Sequence, residues 1–271
     1  MESLREFLCD FIRRIFQKIG GITVLLFYVR HGDPIYKPDQ LTPLGKRQAE
    51  AVARRLALYG IDEIYSSTSV RAMETAAPTS EITKNEIHTL DWAHEKHAYR
   101  DFSLPYGDEG KKTWIFSHPD YNNFLVGREM RELGYKWYEH PRIAQFHFEN
   151  GLERVRRETR NWLMSLGYEY DEDTGLYKII AEDPDKRVAF FAHEGFGKLF
   201  LSILLDMTYP MFASHFELKH SGVTVISFED TGRFDTKGYA RARLLTLSND
   251  SHLYRDGLPT THISTGLVTK Y

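Results

Sequence analysis

Strand patterns and helix patterns alternate along this chain, and this alternation limits the possible folds more than any other feature of the sequence. Residues 22–29 form an unbroken run of apolar and β-branched residues, which is typical of a strand buried on both faces of a sheet. Further strand patterns lie at 63–66, 86–90, 188–192, 223–228 and 244–247, and helix patterns at about 43–59, 149–166 and 195–205. This order predicts an α/β fold in three layers, α/β/α, with a mostly parallel central sheet covered by helices on both faces.

Local signals mark the ends of the first two helices after the sheet begins. Thr42 followed by Pro43 is typical of a helix start, and Gly60 is typical of the end of that helix. A second helix follows the strand at 63–66. We expect it to stop at Pro78, because proline lacks the N–H group that a helix interior needs.

The first nineteen residues predict a separate amphipathic helix. Apolar side chains recur there every three or four positions, Ser3 and Glu6 have the spacing of a capping box, and two glycines end the pattern. The chain therefore divides into an N-terminal helix, 1–21, and an α/β domain, 22–271. We expect the apolar stripe to pack on the main domain or to pair with its copy in a homodimer. An interfacial membrane helix is the alternative, which acidic residues on the helix disfavour.

Residues 91–145 interrupt the alternation and are predicted to form an inserted cap. The segment mixes both signs of charge, contains several prolines and glycines, and is rich in rings in a chain that is 14% aromatic. These rings could roof a ligand crevice and set specificity, or they could form the core of the cap itself. The rings and cations considered for such a roof are Trp92, Tyr99, Phe102, Tyr106, Trp114, Tyr121, Arg100, Lys111 and Lys112.

Charge and composition exclude several classes of protein. The formal net charge is −3, from 35 Lys and Arg against 38 Asp and Glu, so we expect no nucleic-acid partner. No apolar run approaches the roughly 20 residues of a membrane span, and the charges in the first residues do not fit a secretory signal. Cys9 is the only cysteine, which rules out an intramolecular disulfide and suits a reducing compartment. We therefore expect a cytoplasmic protein without a membrane span.

Charged and imidazole side chains follow three of the predicted strands. The first strand runs into Arg30 and His31, the second into a helix start that carries Arg71, and a later strand into His193. Open α/β sheets place their sites at the carboxyl ends of strands, so these four residues are expected to meet in one crevice. Guanidinium groups match phosphate oxygens, and a neutral imidazole is nucleophilic near pH 7. The sequence thus predicts a phosphoryl clamp in which a histidine can accept the phosphoryl group.

These segments together resemble the histidine phosphatase superfamily, in its phosphoglycerate mutase-like branch. The shared pattern is an Arg-His-Gly triplet after the first strand, a serine-rich turn that leads to an arginine about forty residues later, and a strand that ends in a histidine. The resemblance covers residues 22 to about 90 and 187–253, and it matches the insertion only loosely. The residues that carry it are 26–32, the segment 39–49 with Leu41, Thr42 and Gly45, the turn 66–72, His193, and 249–253.

The resemblance implies a phosphohistidine mechanism that uses no metal and no other cofactor. His31 would attack phosphorus. Arg30, Arg71 and His193 would bind the phosphoryl oxygens of the substrate, where negative charge is spread in the transition state. The substrate class that the resemblance implies is a small phosphorylated metabolite.

The resemblance also implies an acidic residue, shortly after the third strand, that protonates the leaving group. Glu95 is the first candidate because it stands in a Trp-x-x-Glu pattern, and Asp91 is the second. Asp101 lies in the same region, and Glu194 beside His193 is a disfavoured third option. No metal site is predicted, since the nearby histidines 94 and 97 have no third ligand at a suitable spacing.

Within this family the sequence favours a phosphatase. The glycolytic mutases resemble one another in an Asn-Glu-Arg-His-Tyr-Gly run at the acid and a His-Gly-Asn at the second histidine, and this chain has other residues at both places. We therefore expect a phosphomonoester hydrolase. Mutase-type phosphoryl transfer is one alternative. A non-catalytic binding module on the same fold is the other, and the presence of all four clamp residues disfavours it.

Overall fold

The computed structural model describes residues 23–107, 110–181, 186–232, 237–262 and 267–268. The predicted amphipathic helix at 1–19 lies outside the described residues. The division at residue 21 and the homodimer through that helix therefore stay predictions. Within the described ranges, no helix has the length and apolar character that crossing a bilayer requires.

The described elements follow the predicted alternation through most of the chain. The strands are β1 (Thr23–Arg30), β2 (Pro34–Tyr36), β3 (Asp39–Leu41), β4 (Glu63–Ser67), β5 (Ile87–Leu90), β6 (Ser103–Tyr106), β7 (Lys111–Trp114), β8 (Tyr168–Asp171), β9 (Leu176–Ile179), β10 (Arg187–Ala192), β11 (Val223–Asp230), β12 (Tyr239–Asn249), β13 (Thr261–His262) and β14 (Leu267–Val268). The α-helices are α1 (Pro43–Tyr59), α2 (Val70–Thr83), α3 (Glu95–Phe102), α4 (Arg128–Leu133), α5 (Phe148–Ser165), α6 (Glu194–Leu204), α7 (Tyr209–His215) and α8 (Ser251–Arg255). Short 3-10 helices lie at Asp91–Ala93, Ile115–Ser117, Phe124–Val126, Gly134–Glu139 and Ala144–Phe146.

The central sheet is mixed. Its order is β5-β4-β10-β1-β11-β12-β9-β8. Neighbours from β5 to β1 pair in parallel, whereas neighbours from β1 to β8 pair antiparallel. The prediction of a mostly parallel sheet is therefore correct for one half only. Antiparallel strands need only a short connection, and both β8 with β9 and β11 with β12 are consecutive in the chain, so they pair as hairpins.

Helices cover both faces of the sheet, as the alternation predicts. Successive residues of β1 point to opposite faces: Phe27 packs in the apolar core on one side, and Tyr28 packs in the core on the other. The first face is covered by α1 and α2, and the second by α5 and α6. Their buried apolar residues include Val52, Leu56 and Ala76 on the first face and Trp162, Phe196 and Phe200 on the second.

One helix boundary differs from the prediction. The start and end of α1 are as expected, since the Thr42 hydroxyl accepts from the Gly45 N–H at 3.0 Å and Gly60 adopts a left-handed φ of 69°. In contrast, α2 continues through Pro78 to Thr83. The residues Ala72, Thr75, Ala76 and Thr79 on this helix are buried. Packing of this buried face compensates the one backbone hydrogen bond that proline removes.

The insertion is continuous with the main core. Trp92 packs edge-to-face against Phe196, with ring centroids 5.5 Å apart, and Phe102 stacks on Phe148 at 5.7 Å. The predicted strand–helix rhythm is absent here, because 91–147 contains only short helices and the β6–β7 hairpin in its described part. Some of the predicted roof rings therefore belong to the core of the domain.

Two glycines allow the loop after β1 to touch the start of α1. A Cβ atom on Gly32 would lie 2.6 Å from the Gly45 carbonyl oxygen, and a Cβ on Gly45 would lie 2.2 Å from the Asp33 carbonyl oxygen. Both neighbours are backbone atoms, which cannot rotate away. This contact fixes the loop that carries His31 against the first turn of α1.

Replacement of Gly45 by alanine tests this close approach. We expect the Gly45→Ala variant to lose about 1–3 kcal/mol of unfolding free energy in urea melts, because the added methyl group forces the two backbones apart. Gly127→Ala is the matched control, since its Cβ would have one close neighbour, the Phe124 carbonyl oxygen at 3.0 Å. Equal losses in the two variants would contradict this explanation.

Candidate active site

The structure brings the four clamp residues together at one edge of the sheet. Arg30 ends β1, His31 follows it, Arg71 lies in the first turn of α2 after β4, and His193 follows β10. These three strands are parallel neighbours, so their carboxyl ends meet. The rings of His31 and His193 have centroids 5.2 Å apart, and all four side chains are buried. Charged side chains are rarely so buried without partners.

The imidazole of His31 is oriented by its own loop. Its Nδ1 lies 2.7 Å from the carbonyl oxygen of Gly32. A carbonyl only accepts, so Nδ1 carries the proton and Nε2 keeps its lone pair. Burial, followed by the charges of His193, Arg30 and Arg71, holds the pKa of His31 well below its usual range. The side chain is therefore a neutral imidazole with a free Nε2 at pH 7.

Arg30 is held by acceptors on three segments. Its Nη1 lies 2.7 Å from Glu194 Oε2 and also donates to the Leu218 carbonyl oxygen. Its Nη2 lies 2.8 Å from Nε2 of His220, and a guanidinium group can only donate, so the imidazole accepts. The buried Nε has no hydrogen-bond partner among the described residues. One donor of this guanidinium group therefore has no acceptor in the described part of the chain.

Arg71 has a similar set of partners. Its Nη1 lies 2.7 Å from Asp39 Oδ1, and its Nη2 donates to Nδ1 of His193 at 3.1 Å. Its buried Nε also lacks a partner in the described part of the chain. The two guanidinium groups thus share one arrangement, with a carboxylate at Nη1, an imidazole at Nη2 and a free Nε. Two such donors beside a neutral imidazole suit a tetrahedral oxyanion.

His193 is fixed through both its ring and its backbone. Nδ1 accepts from Arg71, so Nε2 carries the proton and donates to the Ser67 hydroxyl at 2.8 Å. The Tyr28 hydroxyl donates to the His193 carbonyl oxygen at 2.6 Å. Burial, followed by the charge of Arg71, lowers the pKa of His193 well below its usual range. A bound anion would compete with Nδ1 for the guanidinium hydrogens of Arg71.

Glu95 lies in the same pocket at the start of α3. Its two carboxylate oxygens accept from the N–H groups of Gly195 at 3.0 Å and Phe196 at 2.8 Å, in the first turn of α6. Burial raises the pKa of Glu95 to about 7, although these two hydrogen bonds oppose the shift. At neutral pH this carboxyl group can therefore both give and accept a proton.

The other acidic candidates have different environments. Asp91 is exposed, and hydrogen bonds from Thr68 and His97 lower its pKa to about 2. Glu194 lines the pocket, but its two oxygens contact Arg30 and Lys198, at 2.7 Å and 3.2 Å. Asp101 forms an ion pair with Arg154 outside the pocket. Among the described residues, no group of three His, Cys, Asp or Glu could hold a metal ion.

A pocket of about 1160 Å³ extends from the clamp toward the insertion. Tyr99 and Trp114 from the insertion line it, together with Phe116. The ring of Trp114 lies against the start of α6, where a Cβ on Gly195 would be only 2.2 Å from it. Of the rings considered for the roof, Tyr99 and Trp114 line the pocket, whereas Trp92, Phe102, Tyr106 and Tyr121 do not. The space is much larger than a phosphoryl group needs.

Several site residues have no assignment from the sequence. They include the clamp partners Asp39, Ser67 and His220, and the pocket residue Lys198. His94, weighed from the sequence with His97 as a metal pair, lines the pocket, and its ring centroid is 6.0 Å from that of His193. Lys198 is buried, pairs with Glu194 and lies 4.3 Å from the centre of the Phe116 ring. Ser67 is the last residue of β4, and its polar side chain at a strand end is the sequence signal that could have identified it as a site residue.

A protein-family model matches the segment that contains four of these site residues. Residues 26–101 match the histidine phosphatase superfamily (branch 1), and the match contains Arg30, His31, Arg71 and Glu95. Over these residues the chain therefore resembles the histidine phosphatase superfamily. The resemblance predicted from the sequence is therefore confirmed. The roles of the individual site residues are not tested by this match.

Several solved structures of phosphatases share this fold. A mycobacterial glucosyl-3-phosphoglycerate phosphatase is 20% identical, with a TM-score of 0.53, and the match covers 84% of this chain and 99% of that one. A mutant phosphoserine phosphatase from Entamoeba histolytica in complex with phosphoserine is 20% identical, with a TM-score of 0.52 and coverage of 85% and 99%. An alpha-ribazole phosphatase from Shigella flexneri is 17% identical, with a TM-score of 0.51 and coverage of 83% and 96%. The search of curated proteins found no match.

Inorganic phosphate tests this anion site without any assumption about catalysis. We expect phosphate to raise the melting temperature of the wild type, with a stabilisation of about 2.7 kcal/mol when its concentration is 100 times Kd. The variants Arg30→Met and Arg71→Met should lose this shift, because each removes a free Nε donor. Arg154→Met is the matched control, since Arg154 pairs with Asp101 away from the pocket. Retention of the shift in both clamp variants would exclude the assigned site.

Proposed function

We propose that this protein hydrolyses a small phosphomonoester through a phosphohistidine intermediate. The observation that supports this most strongly is the arrangement around His31. A neutral imidazole with a free Nε2 lines one pocket with two arginines and with Glu95, whose pKa is about 7, and each arginine has an Nε without a partner among the described residues. In this proposal the guanidinium groups, and no metal ion, stabilise the charge on the phosphoryl oxygens.

The first step forms the covalent intermediate. Nε2 of His31 attacks phosphorus, and the bond between phosphorus and the ester oxygen breaks. The proton of the Glu95 carboxyl group passes to that oxygen, so the alcohol leaves as a neutral molecule. Arg30, Arg71 and His193 bind the three remaining phosphoryl oxygens while the charge is spread over them. A bound phosphate would favour the protonated imidazole of His193, whose Nδ1 could then donate.

The second step releases phosphate. Glu95, now a carboxylate, takes a proton from a water molecule whose oxygen attacks phosphorus. The bond between phosphorus and Nε2 breaks, and His31 returns to its neutral form with Nδ1 still bonded to the Gly32 carbonyl. A group with a pKa near 7 serves as acid and base in turn at neutral pH.

The named structural neighbours support hydrolysis as the reaction. Two of them carry the names glucosyl-3-phosphoglycerate phosphatase and phosphoserine phosphatase. Tyr99, Trp114 and Phe116 form an aromatic wall of the pocket. This wall suits a substrate whose alcohol part has several carbon atoms. We further propose a cytoplasmic location, which the single cysteine supports.

Loss of the nucleophile tests this function. With EDTA present, the wild type should release phosphate from phenyl phosphate between pH 5 and 8, and His31→Ala should lower kcat by about 10³-fold or more, because it removes the nitrogen that attacks phosphorus. His97→Ala is the matched control, because His97 lies beside Asp91 and outside the pocket lining. No turnover by the wild type would exclude a general phosphatase and favour the mutase or the binding module. Equal activity of His31→Ala would exclude this nucleophile.

The acid assignment predicts a dependence on the leaving group. Glu95→Gln should lower kcat/KM, which reports formation of the phosphohistidine, by about 10²–10⁴-fold for an alkyl phosphate, whose alkoxide needs a proton, and by less for 4-nitrophenyl phosphate. In the wild type the alkyl rate should fall as pH rises through about 7, because Glu95 then loses the proton that it donates.

Asp91→Asn is the matched carboxylate control. Asp91 is exposed and its low pKa leaves it without a proton above pH 4. A larger loss in Asp91→Asn than in Glu95→Gln would assign the acid to Asp91. Equal losses of kcat/KM in Glu95→Gln for both leaving groups would also contradict the proposal, since they would show that Glu95 does not protonate the leaving group.

A further inference from the structure

His220 is a buried histidine that touches the clamp without lining the pocket. It lies in the loop before β11, and only 3% of its surface is exposed. Its Nε2 accepts a hydrogen bond from Nη2 of Arg30 at 2.8 Å. Its ring lies beside the nucleophile, with the centroid 5.6 Å from that of His31 at an interplanar angle of 34°. The pocket lining includes Arg30 and His31 but not His220.

The position of His220 on Arg30 matches that of His193 on Arg71. In each pair a carboxylate accepts from Nη1, an imidazole nitrogen accepts from Nη2, and Nε is left free. Each guanidinium plane is thus fixed at two of its nitrogens. This fixed plane determines the direction in which the free Nε–H points, and therefore where a phosphoryl oxygen can bind.

His220 stays an acceptor because its surroundings keep it neutral. Burial and the charge of Arg30 lower its pKa to about 3. With Nε2 accepting, Nδ1 carries the proton, and this buried N–H has no hydrogen-bond partner among the described residues. The nearest carboxylate oxygen is Asp33 Oδ1, at 3.6 Å. A buried imidazole with an unsatisfied donor costs stability, which is typical of a residue kept for its role in a site.

We propose that His220 is a positioning residue that holds the Arg30 guanidinium group in the orientation needed to bind the transferring phosphoryl group. This inference rests on the proposed phosphatase function. His220 does not line the pocket, and its Nε2 hydrogen bond goes to Arg30, so in this proposal it acts on the reaction through Arg30. Loss of its Nε2 leaves Nη1 held by Glu194 and Leu218, and Nη2 becomes free to move.

A double-mutant cycle separates this role from a purely structural one. We expect His220→Leu to lower kcat/KM for phenyl phosphate by about 10- to 100-fold, the range for loss of a hydrogen bond to a charged group. In the Arg30→Met background the same change should lower kcat/KM by less than about 2-fold, because the group that it positions is absent. In the Arg71→Met background the full loss should return, since His220 does not contact Arg71.

Two further variants keep the result interpretable if His220→Leu folds poorly. His220→Asn supplies a shorter acceptor and should recover part of the lost kcat/KM, whereas a role in packing alone would not be rescued by it. His252→Leu is the matched control: His252 is also buried, but its Nε2 contacts the Ser221 hydroxyl and its Nδ1 faces Arg55. It should lower the melting temperature without any coupling to Arg30→Met.

The outcomes separate the two proposals. Equal fold-losses of His220→Leu in the wild-type and Arg30→Met backgrounds would overturn the positioning role. So would a His220→Asn variant as impaired as His220→Leu. Absence of turnover in the wild type would instead overturn the proposed function. In that case the same cycle is read from phosphate binding by calorimetry, where coupling between positions 220 and 30 is again expected.

Discussion

Two buried guanidinium groups at the carboxyl edge of the sheet are the constraint on which the rest of this structure depends. Buried cations need acceptors, and the fold supplies them from distant segments: Glu194 and His220 for Arg30, and Asp39 and His193 for Arg71. These partners neutralise part of the charge and fix both planes, yet they leave each Nε free. Folding therefore orients both guanidinium groups before a ligand binds. This is the condition for electrostatic preorganisation.

The same burial moves the pKa values of His31 and Glu95, the two groups proposed to react, in opposite directions. Desolvation disfavours the charged form of any group, so it lowers the pKa of His31 and raises that of Glu95 to about 7. One environment thus keeps His31 neutral and Glu95 partly protonated near pH 7. Asp91 is four residues from Glu95 but exposed, and its pKa falls to about 2. Burial therefore gives different pKa values to Glu95 and Asp91, the first two candidates for the acid from the sequence.

Sequence reasoning reached the parallel half of the fold and the site residues that follow its strands. The rule that sites lie after the carboxyl ends of strands selected Arg30, His31, Arg71 and His193. It could not select His220, which precedes a strand. That residue reaches the site because β11 runs antiparallel to β1, with Val223 paired to Val29. The direction of β11 depends on long-range pairing that no local pattern encodes. Local patterns also do not predict the continuation of α2 through Pro78 or the contact of Trp114 with Gly195, because tertiary packing determines both.

The central claim is that His31 becomes phosphorylated during turnover. The most direct measurement is rapid mixing of the protein with a phosphomonoester, a quench into alkali, in which phosphohistidine survives, and mass spectrometry of the peptides. The account predicts one added phosphoryl group on the peptide that contains His31, a larger yield with Glu95→Gln and an aryl phosphate because hydrolysis of the intermediate is slowed, and none with His31→Ala. Turnover without a phosphorylated intermediate, or a phosphoryl group on another residue, would contradict it.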